Sequence, residues 1–288
     1  MQTTEAARHK VQQLKQLPAL STTVSQLLAM LPDDNLEIKD LAKVIEQDPA
    51  LTARIIGLAN AAYFAQTRPI NSVSEAIIRV LGLQMVKTLA FSIVLCGSFD
   101  ASKCPGFRLD EYWFRAFGSA QLVRKLILKM DARHRPDPDE TYLTALLLNI
   151  GVLVLVHLFP QDYACVLVSL EKAPGQDIEH LEHECVGLSS GEAGEWLTDR
   201  WHLPEYVVRA IASQNVPLDA GKQTVELKLI NVILEWMIET EESSLIGMFE
   251  NSLLGQELGL PAEVLSGIEL DFVQQRDEIR SVARLLSV

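Results

Sequence analysis

The residues that most often carry out chemistry are sparse in this chain. Its 288 residues include four cysteines and six histidines. Cys96, Cys104, Cys165 and Cys185 form no CxxC pair, and residues 1–20 are polar and charged, without a secretory leader. That pattern suits a reducing compartment, with free thiols packed mostly as small apolar groups, and predicts a cytoplasmic protein. No Gly-rich phosphate loop, GxSxG elbow or Cys-His nucleophile pattern is present, so conventional enzyme chemistry has no foothold.

Other absences narrow the fold and the partners. No Asn-Gly or Asp-Gly hairpin signal separates alternating runs, which argues against a β fold. The longest apolar run, Ala145 to Phe159, is broken by Asn149, Gly151 and His157. It falls short of the roughly 20 apolar residues a bilayer demands and reads as a buried core helix, so no membrane partner is expected. Lysine and arginine number 25 against 38 acidic residues, a net charge of −13, and no basic run offsets that balance. Binding a phosphate backbone needs clustered cations that release counterions, so nucleic acid is not an expected partner.

What is present is a foldable, helical chain. The apolar fraction is 48%, charged residues make up 22%, and the mean hydropathy is +0.14, all in the range of globular proteins. Asp48-Pro49 sets an N-cap acceptor before a proline at the first helical position, and Leu51, Ile55, Leu58 and Ala59 then repeat at helical spacing. Ser72 and Glu75 have capping-box spacing, opening a helix that stops near Gly82. A second helix follows from Leu83 to about Ser98, with Val86, Leu89, Ala90 and Ile93 in one stripe. The loop Asp131 to Asp139, with Pro136 and Pro138, is a clear break. Val152 to Val156 is ambiguous, since its β-branched alternation suits a strand as well as a helix. Residues 99–110, with Lys103, Pro105 and Gly106, are the best place to divide the chain, giving residues 1–105 and 106–288.

The N-terminal half reads LPALSTTVSQLLAML, then LEIKDLAKVIEQDPALTARIIGLANAAYF, then PINSVSEAIIRVLGLQMVKTLAFSIVL. Together with ALLLNIGVLVLVHLFPQDY and GLSSGEAGEWLTDRWHLPEYVVRAI, this resembles the HDOD family, relatives of the HD and HD-GYP phosphohydrolases. The telling positions include Leu17, Pro18, Asp48, Pro49, Asn60, Gly82 and Gly151. The resemblance implies an all-α fold, with an N-terminal helical subdomain packed on an HD-like helical bundle, and a role in signal transduction.

An HD phosphohydrolase needs histidines and aspartates to hold a divalent metal that activates water. At the positions where the resemblance places them, this chain carries Leu148 and Asn149 before Ile150-Gly151, Ser189 and Ser190 after Gly187-Leu188, and Gln214 and Asn215. A further upstream histidine would fall near Arg115 or Ala116. The expectation is a degenerate site with no metal and no cofactor, and a non-enzymatic module that binds another signalling protein. The neutral groups Asn149, Ser189, Ser190, Gln214 and Asn215 leave open a nucleotide or small-molecule sensor, or a rebuilt phosphohydrolase site. His180 and His183, flanked by Glu179, Glu182 and Glu184, read as a solvated acidic helix face. His157 reads as a hydrogen-bonded core residue. Asn60 reads as a side chain whose amide bonds backbone donors and acceptors and holds the following loop.

Overall fold

A computed structural model describes residues 20–133, 135–173, 175–214, 223–238, 244–252, 254 and 258–287. All regular structure among them is helical. Asn215, Leu17, Pro18, His9 and His134 lie outside the described residues.

The first group comprises α1 (Thr22–Met30), α2 (Ile38–Glu46), α3 (Pro49–Ala59), α4 (Val73–Ala76) and α5 (Leu83–Cys96). Local chemistry starts each of them where the sequence allows. Ser21 accepts the Val24 N–H, and Asp48 accepts those of Ala50 and Leu51 with Pro49 at the first helical position. Ser72 accepts the Glu75 N–H at 3.1 Å. The Glu75 carboxylate reaches back to the Asn71 N–H at 2.9 Å, one residue beyond the Ser72 N–H that a reciprocal capping box requires. From Ile77 to Leu81 the chain widens into a π turn that the periodicity did not reveal. It closes with Gly82 N donating to Ile77 O at 2.9 Å. Gly82 adopts φ 79° between α4 and α5, a left-handed conformation that favours a residue without Cβ.

Helix α5 is apolar on nearly every side and lies at the centre of this group, against α1, α2 and α3. Val86, Leu89 and Ala90 are fully buried and Ile93 nearly so. Burying each of the larger side chains contributes about 1.5–3 kcal/mol.

The rest of the chain builds the bundle: α6 (Leu109–Ile127), α7 (Pro138–Leu147), α8 (Ile150–Leu158), α9 (Pro160–Lys172), α10 (Ile178–Cys185), α11 (Ser190–Arg200) and α12 (Glu205–Ser213). Then come α13 (Val225–Ile238), α14 (Leu245–Asn251), α15 (Ala262–Gln274) and α16 (Arg276–Leu286). The break expected at Asp131 to Asp139 ends earlier, because Asp137 caps α7 and Pro138 occupies its first position, where a missing N–H costs nothing. Val152 to Val156 is helical, inside α8. By length and composition Pro138–Leu158 could cross a membrane, but 78% of its most apolar window is buried within the fold.

The two groups share one continuous apolar core. Helix α5 packs on α7, and α16 packs on both α3 and α6. The segment 99–110 is tied down as well: Phe99 stacks on Trp201 with ring centroids 5.7 Å apart, and Asp100 N donates to His157 Nδ1 at 3.0 Å. Cys96 and Cys104 are packed as small apolar groups, whereas Cys185 is half-buried and Cys165 exposed.

Candidate functional site

Five of the six positions where an HD site is expected, Leu148, Asn149, Ser189, Ser190 and Gln214, fall along the seam between α8, α11 and α12. Helix α7 ends at Leu147, and Leu148 and Asn149 form a two-residue turn before α8 begins. Leu148 is 1% exposed and belongs to the core. Asn149 is half-buried, and its carbonyl accepts Val152 N at 3.0 Å.

Two residues later the backbones meet. A Cβ on Gly151 would lie 1.8 Å from Ser190 O and 2.8 Å from Gly194 N, so α8 touches α11 with no room for a side chain. Gly194 repeats the device from the other side, since a Cβ there would lie 2.9 Å from Ile211 Cγ2 of α12. These two glycines bring the starts of α8 and α11 and the second half of α12 together.

Several polar groups at the seam are already in use. Ser189, fully buried, accepts Glu192 N at 3.2 Å while its own N–H donates to Glu192 Oε2 at 2.8 Å, a complete capping box. Ser190 N donates to Glu182 Oε2 at 2.6 Å, and Tyr163 OH donates to Glu182 Oε1 at 3.4 Å. Gln214 follows α12, and its carbonyl accepts Asn231 Nδ2 at 3.4 Å.

Glu182 corrects the reading of α10 as a solvated acidic face. His180 and Glu184 fit that reading, with side chains 69% and 63% exposed, but Glu182 has no exposed surface. Burial raises its carboxyl pKa, and the hydrogen bonds from Ser190 and Tyr163 offset part of that rise. Residue type and spacing carry no sign of this; only the partners on α9 and α11 reveal it.

The donor set does not suit a divalent metal. Leu148 offers no ligand atom, Asn149 only a neutral amide, and the Ser189 hydroxyl is bound to its own helix. Arg115 is exposed and Ala116 buried. Among the described residues no group of three His, Cys, Asp or Glu side chains is arranged to hold a metal ion. His183 Nε2 faces Glu192 Oε2 at 3.6 Å, a two-member contact at the surface.

Asn60 anchors the other recognisable motif. Its Nδ2 donates to Ile56 O at 3.0 Å and Ile70 O at 2.8 Å, and its Oδ1 accepts Ile70 N at 2.8 Å. One amide thus joins the end of α3 to the segment ten residues on, and holds the buried Ile70 in place.

The arrangement has relatives. A structure from Marinobacter aquaeolei VT8, provisionally named a signal transduction protein, is 29% identical with a TM-score of 0.78, and covers 95% of this chain and 60% of its own. An HDOD domain protein of unknown function from Geobacter sulfurreducens superposes with a TM-score of 0.75 at 23% identity, over 98% of this chain and 97% of its own. A protein from Shewanella amazonensis SB2B, provisionally named a phosphohydrolase, has the same fold at 21% identity and TM-score 0.75, over 96% and 97% of the two chains. An uncharacterised protein of Treponema pallidum (strain Nichols) is 25% identical over 214 residues, which are 73% of this chain and 40% of that protein. The chain therefore spans less than two thirds of the Marinobacter and Treponema relatives. The HDOD domain family matches residues 17–217. With that match over most of its length, the chain belongs to the HDOD family.

Proposed function

We propose that this HDOD domain is a non-catalytic module of bacterial signal transduction that acts in the cytoplasm by binding another protein. One observation carries the reading: at the seam where a phosphohydrolase would hold its metal, the side chains are a core leucine, Leu148, and hydrogen-bonding groups such as Ser189 that are committed to capping the fold. A scaffold kept in full beside a missing ligand set is what a binding role would leave. The name given to the Marinobacter relative agrees with a signalling role, and the name of the Shewanella protein marks the chemistry that this chain's residues do not support.

The test is metal and phosphodiesterase activity measured together. The purified protein, supplied with manganese or iron, should hydrolyse neither cyclic dinucleotides nor a generic phosphodiester, and EDTA should leave its melting temperature unchanged. A metal bound at about a hundred times its dissociation constant would stabilise the fold by roughly 2.7 kcal/mol, a shift of several degrees. Stoichiometric metal that disappears on replacing His180 and His183 would overturn the reading. So would failure to find any protein partner tighter than about millimolar.

A further inference from the structure

A cleft of about 570 Å³ opens where α1 and α5 of the first group face α7 and α12 of the bundle. Its carboxylates meet Lys87, Arg124 or Arg209 or cap a helix. The chemistry left unused in this protein lies instead on its cysteines.

The four thiols divide into two kinds. Cys96 and Cys104 are inside the core, and burial pushes the Cys96 thiol up to about 12, where it is unreactive at neutral pH. Cys165 is exposed and Cys185 half-buried, so an oxidant can reach them.

These two accessible cysteines are also the two that face each other. Helices α9 and α10 are joined by a short connection and pack together as an antiparallel hairpin, with Tyr163 OH of the first bonded to Glu182 Oε1 of the second at 3.4 Å. Cys165 stands as far before the end of α9 at Lys172 as Cys185 stands beyond the start of α10 at Ile178, which sets them opposite one another across the hairpin. Their side chains agree with that register. The Cys185 thiol contacts the Cys165 thiol and the hydroxyl of Ser169, one helical turn further along the same face of α9. Cys185 also occupies the last turn of α10, where the chain is about to leave the helix at Gly187, φ 79°, so a small movement there brings sulfur to sulfur.

We propose that Cys165 and Cys185 form a reversible modification site, a dithiol that a hydroperoxide converts to an intramolecular disulfide clamping α9 to α10. In the first step the Cys165 thiolate attacks one oxygen of hydrogen peroxide. The O–O bond breaks, Cys165 becomes a sulfenic acid, and the departing hydroxide takes up a proton to become water. In the second, the Cys185 sulfur gives up its proton and attacks the Cys165 sulfur. The S–S bond forms, the S–O bond breaks, and hydroxide leaves with that proton as a second water. Two electrons pass from the pair of sulfurs to the peroxide. Burial and the neighbouring thiol push Cys185 up to about 11, so it stays protonated and Cys165 meets the oxidant first. In a reducing compartment the pair rests as the dithiol, and cytosolic disulfides of this transient kind serve redox sensing. Because α10 carries Glu182, which holds the Ser190 N–H, the clamp also fixes the element that supports the start of α11. This site goes beyond the partner-binding role and does not rest on it.

Treating the reduced full chain with hydrogen peroxide, then mapping its peptides by mass spectrometry without reductant, tests the assignment. The expected product is a monomer lighter by two hydrogens, with Cys165 linked to Cys185, Cys96 and Cys104 still free thiols, and full reversal by dithiothreitol. The oxidised form should melt several degrees above the reduced form, since the cross-link restricts the unfolded chain. Cys165→Ser and Cys185→Ser should each fold as the reduced parent does and lose both the cross-link and the shift. In Cys185→Ser the sulfenic acid at Cys165 should persist long enough to be trapped by dimedone, whereas in Cys165→Ser the remaining Cys185 should react with peroxide about tenfold more slowly than Cys165 does. Oxidation of Cys165 to the sulfinic acid with Cys185 left as a free thiol would overturn the proposal. So would cross-links only between two copies of the chain, or an unchanged melting temperature once the disulfide has formed. None of these outcomes depends on whether a protein partner exists.

Discussion

The seam between α8 and α11 and the cleft between α5 and α7 handle polar groups in opposite ways. At the seam, two glycines bring backbones into contact, and the carboxylate of Glu182 and hydroxyl of Ser189 are bonded to helix starts. At the cleft there is open volume lined by four carboxylates, which meet Lys87, Arg124 or Arg209 or cap a helix. At the seam the positions are absorbed into the scaffold, and open polar space lies elsewhere. The difference between the two regions is burial: Glu182 and Ser189 lie inside the fold, where leaving a hydrogen bond unmade costs more than a typical one contributes, whereas Asp34, Asp137 and Glu140 at the cleft reach water.

The comparison can be broken most severely at Gly151. Gly151→Ala forces a methyl into the Ser190 carbonyl and should destabilise the protein by about 3 kcal/mol or more, read as the shift in a urea unfolding midpoint. A variant as stable as the parent would mean the helices are not in contact. Glu182→Ala should cost about 1–3 kcal/mol by leaving the Ser190 N–H and Tyr163 hydroxyl unpaired.

Glu182→Gln isolates the charge. Because the folded-state pKa of Glu182 is raised, the folded protein binds the proton more tightly than the unfolded chain does. Its contribution to stability is therefore fully present below the unfolded pKa of about 4.3, and is lost as pH rises through the higher folded value. The parent should lose stability with rising pH in that window relative to Glu182→Gln; identical pH profiles would remove Glu182 from the account.

Outside both regions, Asn60→Ala should cost about 1–3 kcal/mol, since it strands the Ile70 N–H and two carbonyls. Unchanged melting with lost partner binding would make Asn60 a recognition residue instead. Ser189→Ala removes one helix cap and should cost about 1 kcal/mol. The smallest effect belongs to the cleft: Thr88→Val deletes a hydroxyl that makes no hydrogen bond among the described residues and should change stability by less than about 0.5 kcal/mol. If Thr88→Val cost as much as Ser189→Ala, the cleft would be as internally satisfied as the seam.

Much of this was readable from local chemistry. Asp48-Pro49 and Ser72 announce their helices because capping is settled within four residues, and Gly82 marks the stop that its positive φ requires. Val152 to Val156 could not be decided by pattern, since a fully buried helix and a buried strand are apolar in the same way; contact with α11 through Gly151 sets the outcome. The same limit hid Glu182, whose acidic neighbours on α10 face water while it faces Tyr163 and Ser190. The cleft was illegible for a different reason. Asp34, Thr88, Glu140 and Tyr206 belong to four separate segments, and no spacing in the chain links them.

The position of α16 has a consequence for how the molecule is assembled. Arg280 Nη1 meets Glu111 Oε1 at 2.5 Å across 169 residues of sequence, its guanidinium lies 4.2 Å from the centre of the Phe114 ring, and the same helix covers α3 through Leu285 against Gly57. On the ribosome, α3 and α6 emerge long before the helix that covers them. Their apolar faces must wait in a partly built state, exposed to chaperones and to unwanted association, until residues 276–286 arrive. Closing so long a loop is also an entropically slow step, so docking of α16 should set the pace at which the fold is completed.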